Sequence, residues 1–202
     1  MAPKRVPAMP DADDFAEWCR RLKASDRAAY AAVFEALYEP IFRYVRSLTS
    51  ERAAARDIAQ DTFVRLWDAR KSLDPEQSLK AYLYRTARNL AYNHHRDKDT
   101  RNDKEEDIRR DGNVQPTALP PPDVAAEGEW LEERLRTWIA DLPDRQREAL
   151  VLSRFEGLSH DQIAEVMDIS ARTVNNHIVR ALKRLRTRVN DYEPDLLHRH
   201  EP

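Results

Sequence analysis

The chain has 202 residues, of which 41% are hydrophobic and 35% are charged, and its formal net charge is -2. This length suits one or two domains. No apolar run approaches the roughly 20 residues that cross a bilayer, so we expect no direct membrane insertion. Only three glycines occur, whereas good helix formers are plentiful and strand-like alternation is missing, so the sequence predicts an all-α fold.

Cysteine and histidine usage argues against a disulfide-stabilised protein and against a protein with a Cys/His metal site. Cys19 is the lone cysteine, so an internal disulfide cannot form and a reducing, cytoplasmic location is expected. The basic N-terminus lacks the apolar core of a signal peptide. Because no Cys/His cluster has metal-ligand spacing, we expect no metal. No cofactor and no small-molecule substrate are expected either.

Residues 12–96 are predicted to form a first domain of four or five packed helices. Ser25 is predicted to cap one of these helices, and Pro40 is predicted to break or kink it. The apolar residues at helical spacing are Tyr30, Val33, Phe34, Leu37, Ile41, Val45, Leu48, Ile58, Phe63, Leu66, Leu79, Leu83, Ala87 and Leu90.

The last helix of this domain, predicted over 78–96, combines basic and aromatic residues without any acid. Its basic residues are Lys80, Arg85, Arg88 and Arg96, and its tyrosines are Tyr82, Tyr84 and Tyr92. Positive charge beside stacking surfaces is typical of sites for unpaired bases. Core packing is the alternative for Tyr82 and Tyr84.

Residues 97–129 are charged, contain Pro120, Pro121 and Pro122 in a row, and carry few large apolar side chains. Such a segment buries too little apolar surface to offset its ordering entropy. The sequence therefore predicts a flexible linker between two domains, with a long surface loop inside one domain as the alternative.

Residues 130–188 are predicted to form a second helical domain, followed by a short polar tail at 189–202. Within it, Ser159 and Gln162 match a capping box, and residues 168–170 form a turn before a second capped helix. The core stripe of that last helix is Val174, Ile178, Ala181, Leu182 and Leu185. Two short helices joined by a tight turn indicate a helix-turn-helix.

The outer face of the last helix is cationic and rich in amides. It comprises Arg172, Thr173, Asn175, Asn176, His177, Arg180, Lys183 and Arg184. Residues near the start of such a helix can read base edges, and the later cations can neutralise phosphates. An ordinary solvated amphipathic helix is the alternative, but the capped pair and the acid-free face favour DNA binding.

Three stretches together resemble bacterial RNA polymerase sigma factors of the extracytoplasmic-function (ECF) group. They are DIAQDTFVRLW at 57–67, AYLYRTARNLAYNHHR at 81–96, and LPDRQREALVLSRFEGLSHDQIAEVMDISARTVNNHIVRALKRLR at 142–186. The resemblance implies that the chain binds core RNA polymerase through the β′ clamp helices and the β flap. It also implies transcription initiation at promoters and control by an anti-sigma factor, often membrane-anchored.

The resemblance assigns a role to each surface. It implies that Asp57, Gln60 and Asp61 contact the β′ clamp helices, and that the last helix reads the −35 element. The melted −10 element is expected to contact Lys80, Tyr82, Arg85, Arg88, Asn89, Asn93 and Arg96. Tyr82 stands where the family often has Trp. The linker is then expected to resemble an acidic strand in the RNA channel, or else to be a plain tether.

Other functions explain less of the chain. A stand-alone helix-turn-helix regulator would leave the first domain unexplained and would usually dimerise on a palindrome. A nuclease built on His94 and His95 is disfavoured because neighbouring helical residues point about 100° apart. A protein adaptor would not need the cationic helix. For Asp57 and Asp61, the alternative to polymerase binding is a solvated helix face on which they pair with Arg56 and Arg65. We therefore expect a non-enzymatic sigma factor that binds promoter DNA weakly by itself.

Overall fold

A computed structural model describes residues 12–49, 51–105 and 129–192, with side chains at 15–49, 51–96 and 134–192. All regular elements in these ranges are helical, which confirms the all-α prediction. They are α1 (Ala12–Lys23), α2 (Arg27–Leu48), α3 (Arg52–Ala69), a 3-10 turn (Arg70–Ser72), α4 (Leu79–Glu105), α5 (Glu129–Ala140), α6 (Asp144–Arg154), α7 (His160–Met167) and α8 (Ala171–Tyr192). None of these helices is long and apolar enough to cross a membrane.

The chain divides into two units, Met1–Gly112 and Asn113–Pro202. In the first, α2, α3 and α4 pack against one another and α1 packs on α2. Tyr84 is fully buried, and its ring meets the Tyr44 ring edge-on at 5.2 Å. Core packing is therefore the correct interpretation of Tyr84. Cys19 is 1% exposed, and burial raises the pKa of its thiol.

Helix α2 contradicts two predictions, its cap at Ser25 and a break at Pro40. Asp26, not Ser25, caps it, because the Asp26 carboxylate accepts hydrogen bonds from Ala28 N (2.8 Å) and Ala29 N (3.3 Å). Pro40 lies inside the helix without ending it. The proline removes one backbone hydrogen bond, but Leu37 and Ile41 are buried on either side of it, and their packing offsets that loss.

Two helices extend beyond the predicted domain ends. Helix α4 runs past residue 96 to Glu105, and α8 runs past residue 188 to Tyr192. The Tyr192 ring meets the Trp138 ring of α5 edge-on at 5.8 Å, so the end of α8 belongs to the second unit. Residues 106–128 of the predicted linker and 193–202 of the predicted tail lie outside the described residues.

The second unit contains the predicted helix-turn-helix in α7 and α8. Ser159 N donates to Gln162 Oε1 at 2.9 Å and Gln162 N donates to Ser159 Oγ at 3.2 Å, which confirms the capping box. Asp168 closes α7 in the left-handed region at φ 54°, and Ser170 Oγ accepts from Thr173 N. One predicted core residue is wrong: Leu182 is 39% exposed. It follows buried Ala181 directly, and the rotation of about 100° between successive helical residues turns its side chain away from the core.

The capping box yields a stability prediction. Ser159→Ala should destabilise α7 by about 1 kcal/mol, because the backbone amide of Gln162 loses its acceptor, Ser159 Oγ. Amide hydrogen exchange in α7 should then be about fivefold faster. Ser153→Ala within α6 removes no cap and should leave exchange in α7 unchanged, and equal acceleration by both variants would contradict the capping role.

Candidate nucleic-acid interface

Helix α8 presents most of its predicted outer face to solvent. Its exposed polar residues are Arg172, Asn175, Asn176, Arg180, Lys183 and Arg184. Thr173 is half-buried and its hydroxyl shares a hydrogen bond of 2.8 Å with Ser170 Oγ. This face can therefore offer amide groups to base edges near its start and cations to phosphates further along.

His177 departs from the predicted outer face. Its ring is partly buried, and its Nδ1 is buried without a hydrogen-bond partner among the described residues. Burial lowers the pKa of His177, the charges of Arg145 and Arg180 lower it further, and Glu148 opposes them. Arg145 thus lies close enough to α8 to act on this face, which the sequence reasoning missed because α6 was not placed beside it.

This environment predicts how pH affects the second unit. The pKa of His177 lies below its ordinary value of 6.5 in the folded chain, so the unfolded chain binds the proton first as the pH falls. The stability due to neutral His177 is present above the unfolded value and is lost as the pH falls through the folded value.

The expected result is a larger drop in melting temperature for the wild type than for His177→Gln between about pH 7.5 and pH 5.5. Thermal melting followed by NMR signals of the second unit measures it. His160→Gln, at the exposed start of α7, is the matched control and should keep the wild-type drop. An unchanged drop in His177→Gln would contradict the assignment.

A groove between α3 and α4 brings together several residues predicted for the −10 element. It encloses about 330 Å³ and is lined by Arg65, Asp68, Ala69, Tyr82, Thr86, Asn89, Leu90 and Asn93. Its volume lies at the lower end of the range for small-ligand sites. A ring, two amides, a guanidinium and a carboxylate are the groups that can stack on a base and bond its edge.

Two basic residues assigned to the same surface lie elsewhere. Lys80 and Arg88 are each 7% exposed, because their spacing with buried Tyr84 puts them on the core-facing side of α4. The Arg88 guanidinium stacks 4.4 Å from the centre of the Tyr92 ring. Arg85 and Arg96 are exposed as predicted, so the accessible basic surface of α4 is narrower than its sequence indicated.

The predicted polar face of α3 is open. Asp57, Gln60 and Asp61 are exposed, and the neighbouring Val64 is 54% exposed. Within the described part of the chain, neither carboxylate forms an ion pair with Arg56 or Arg65. The face is therefore not occupied by its own arginines, which was the alternative interpretation.

His95 has a structural contact that bears on the nuclease alternative. Its Nε2 lies 2.7 Å from the carbonyl oxygen of Leu48, at the end of α2. One of the two adjacent histidines is therefore engaged with the backbone of the first unit. Among the described residues, no three His, Cys, Asp or Glu side chains are grouped so that they could hold a metal ion.

Comparison with known proteins identifies the family. Residues 33–101 match sigma-70 region 2, and residues 132–185 match sigma-70 region 4. The ECF RNA polymerase sigma factor SigC of Mycobacterium tuberculosis is 30% identical over 167 residues, covering 83% of this chain and 85% of that protein. The chain belongs to the ECF sigma factors. SigM of Bacillus subtilis, another ECF sigma factor, is 28% identical over 160 residues, covering 78% and 93%.

Solved structures show the same fold. CnrH in complex with the cytosolic domain of CnrY has a TM-score of 0.62 at 22% identity, covering 90% of this chain and 99% of that one. RpoE from Bartonella quintana, in complex with the anti-sigma factor NepR, has a TM-score of 0.64 at 22% identity, covering 78% and 94%. As an ECF sigma factor, the chain binds core RNA polymerase and directs transcription initiation at promoters.

Proposed function

We propose that the two units of this sigma factor divide promoter recognition between them. In the second unit, Arg172, Asn175 and Asn176 read base edges of the −35 element, while Arg180, Lys183 and Arg184 bind phosphates. The observation that carries this assignment is the exposed face of α8. This face follows the capped turn, carries amide and basic side chains, and contains no acid before Asp191. Helix-turn-helix proteins place such a face in the major groove.

In the first unit, we propose that the α3–α4 groove holds one unpaired base of the −10 element. Tyr82 supplies a ring at the groove wall, and Asn89 and Asn93 supply donors and acceptors. Arg85 and Arg96, which are both exposed, bind phosphates of the melted strand. Lys80 and Arg88 are buried, so they would affect DNA binding only indirectly, by packing against residues that do contact DNA.

The α3 face is proposed as the dock for the β′ clamp helices. Its two carboxylates favour a basic partner surface, and exposed Val64 adds an apolar contact within the same face. The β flap is the proposed contact of the second unit. The chain then acts as a dissociable specificity subunit without chemistry of its own, and it works in the cytoplasm, where polymerase meets chromosomal DNA.

One reconstitution experiment tests this function. The purified chain is added to sigma-free core RNA polymerase with a fragmented genomic library, and the 5′ ends of the transcripts are mapped. Discrete start sites preceded by a shared pair of elements are expected. Binding of the full chain to duplex DNA without any polymerase-dependent transcript would instead favour a stand-alone helix-turn-helix regulator.

Control by an anti-sigma factor is also proposed. It rests on family membership and on the two similar structures, in which the sigma factors are bound to CnrY and to NepR. The expected partner copurifies with the chain from its own cells and, titrated into the reconstituted reaction, stops transcription at equimolar amounts. Full activity in the presence of every copurifying protein would contradict this control.

A further inference from the structure

A basic recess lies in the second unit where the α5–α6 junction faces α8. It encloses about 630 Å³, and its lining residues are Asp141, Leu142, Gln146, Arg180, Lys183, Arg184, Thr187 and Arg188. Three of these were expected to meet phosphates, but Thr187 and Arg188 were assigned to nothing. The recess thus continues the cationic face of α8 towards its C-terminal end.

The charges in the recess are unbalanced. Of the described residues that line it, four are basic and one, Asp141, is acidic. Asp141 Oδ2 accepts a hydrogen bond from Arg188 Nη1 at 2.7 Å, and both side chains are partly exposed, 49% and 42%. Within the described residues, Arg180, Lys183 and Arg184 form no ion pair. Positive potential is therefore concentrated in a concave site, which favours an anion with several acceptor oxygens.

The floor of the recess holds a polar group without a partner. Gln146 is 9% exposed, and its buried Oε1 has no hydrogen-bond partner among the described residues. Rotating the amide by a half-turn would exchange Oε1 for Nε2, which is a donor. The hydroxyl of Thr187 can donate as well. Guanidinium, ammonium, hydroxyl and amide donors together match the acceptor oxygens of a phosphate group.

We propose that this recess seats a backbone phosphate of the DNA strand beside the −35 element, and that the phosphate displaces Asp141 from Arg188. The inference rests on the proposed role of α8. Asp141 then has a role of its own. It holds Arg188 in place in the free chain, and binding of any DNA sequence costs the free energy of breaking this ion pair. Because this cost is the same for every sequence, it lowers affinity uniformly, and discrimination still comes from the base contacts made by Asn175 and Asn176.

Phosphate contacts are independent of sequence, so the test can begin without a known promoter. The affinity of the full chain for a labelled duplex is measured by fluorescence anisotropy over a range of salt concentrations. Arg188→Gln should weaken binding and reduce the slope of log affinity against log salt by about 0.9, the value for one lost phosphate contact. Arg186→Gln, an exposed position of α8 outside the recess, removes the same charge and should leave the slope unchanged.

Asp141→Asn should have the opposite effect. Duplex affinity should rise about two- to fivefold, which corresponds to one exposed ion pair that no longer has to be broken. Glu35→Gln, at an exposed acid of α2 in the first unit, makes the same change in net charge and should leave the affinity unchanged.

The double variant Asp141→Asn/Arg188→Gln separates displacement from simple repulsion. If Asp141 acts by holding Arg188, its substitution should have no effect once Arg188 is absent. A gain of the same size in both backgrounds would overturn the displacement. Circular dichroism of each variant verifies that the helices remain folded.

A free anion is the other source of the same chemistry. If inorganic phosphate binds the full chain saturably and Arg188→Gln abolishes that binding while leaving duplex affinity intact, the recess is an anion site and not a DNA contact. The role of α8 is tested on a duplex that carries the −35 element mapped by the reconstitution experiment. If Arg188→Gln has no effect on that duplex but Asn176→Ala abolishes binding, the recess proposal fails and the role of α8 stands. If neither variant matters, the proposed −35 role of α8 fails as well.

Discussion

Asp61→Arg should abolish promoter-dependent transcription by preventing the chain from joining core polymerase. The carboxylate lies exposed on α3 beside Asp57 and Gln60 and has no internal ion pair. Reversing one charge in a complementary interface removes an attraction and adds a repulsion. A loss of at least 2 kcal/mol, or roughly 30-fold in Kd, is the order expected. Binding of labelled chain to core polymerase measures it directly.

Position on the surface, and not net charge, should govern this effect. Glu35→Arg makes the same charge change at an exposed position of α2 and should bind core polymerase normally. Val64→Ala should weaken binding less than Asp61→Arg does, because it removes a small apolar contact without adding repulsion. If Glu35→Arg and Asp61→Arg weakened binding equally, the α3 face would not be the dock.

Helical periodicity predicted the faces of single helices well. In α8 the buried residues Val174, Ile178, Ala181 and Leu185 were all expected, because a helix that packs on one side must repeat its apolar residues every three or four positions. The capping box at Ser159 was equally accessible, since its two hydrogen bonds join residues three apart in sequence.

Features that depend on neighbouring helices could not be read in this way. Lys80 and Arg88 were grouped with the exposed cations because they are charged, yet the packing of α4 buries them. Their spacing with Tyr84 carried the signal, since three residues at i, i+4 and i+8 share one side. A prediction that relies on residue type alone places every Lys and Arg on the surface, so it misses a charged residue that shares its helix face with buried apolar residues.

Both recesses owe their existence to contacts between separate elements. Arg65 and Asp68 belong to α3 but line the groove with Asn89 of α4, and Asp141 reaches Arg188 across 47 positions of sequence. No local pattern specifies which residues of two helices will face each other. Sequence patterns could therefore predict the surface of a single helix, whereas the cavities that can enclose a base or a phosphate depend on how separate helices pack.

Asn89→Ala should impair promoter opening more than it impairs binding of polymerase to DNA. The Asn89 side chain lines the α3–α4 groove together with Arg65, Asp68 and Tyr82. Losing the amide removes the bonds that would hold an extruded base edge, at a cost of about 1–3 kcal/mol, or roughly 5- to 150-fold. Permanganate reactivity of the −10 region and the yield of full-length transcripts measure opening.

Two controls separate base reading from other causes of reduced opening. Asn190→Ala changes an exposed asparagine of α8 and should open promoters normally. On a template already unpaired at the −10 element, Asn89→Ala should recover the part of its transcription activity that was lost through impaired melting. The remaining defect should depend on which base occupies the groove, since a lost amide matters only for a base that it contacts. A defect independent of that base would make Asn89 a residue that shapes the groove without reading the promoter.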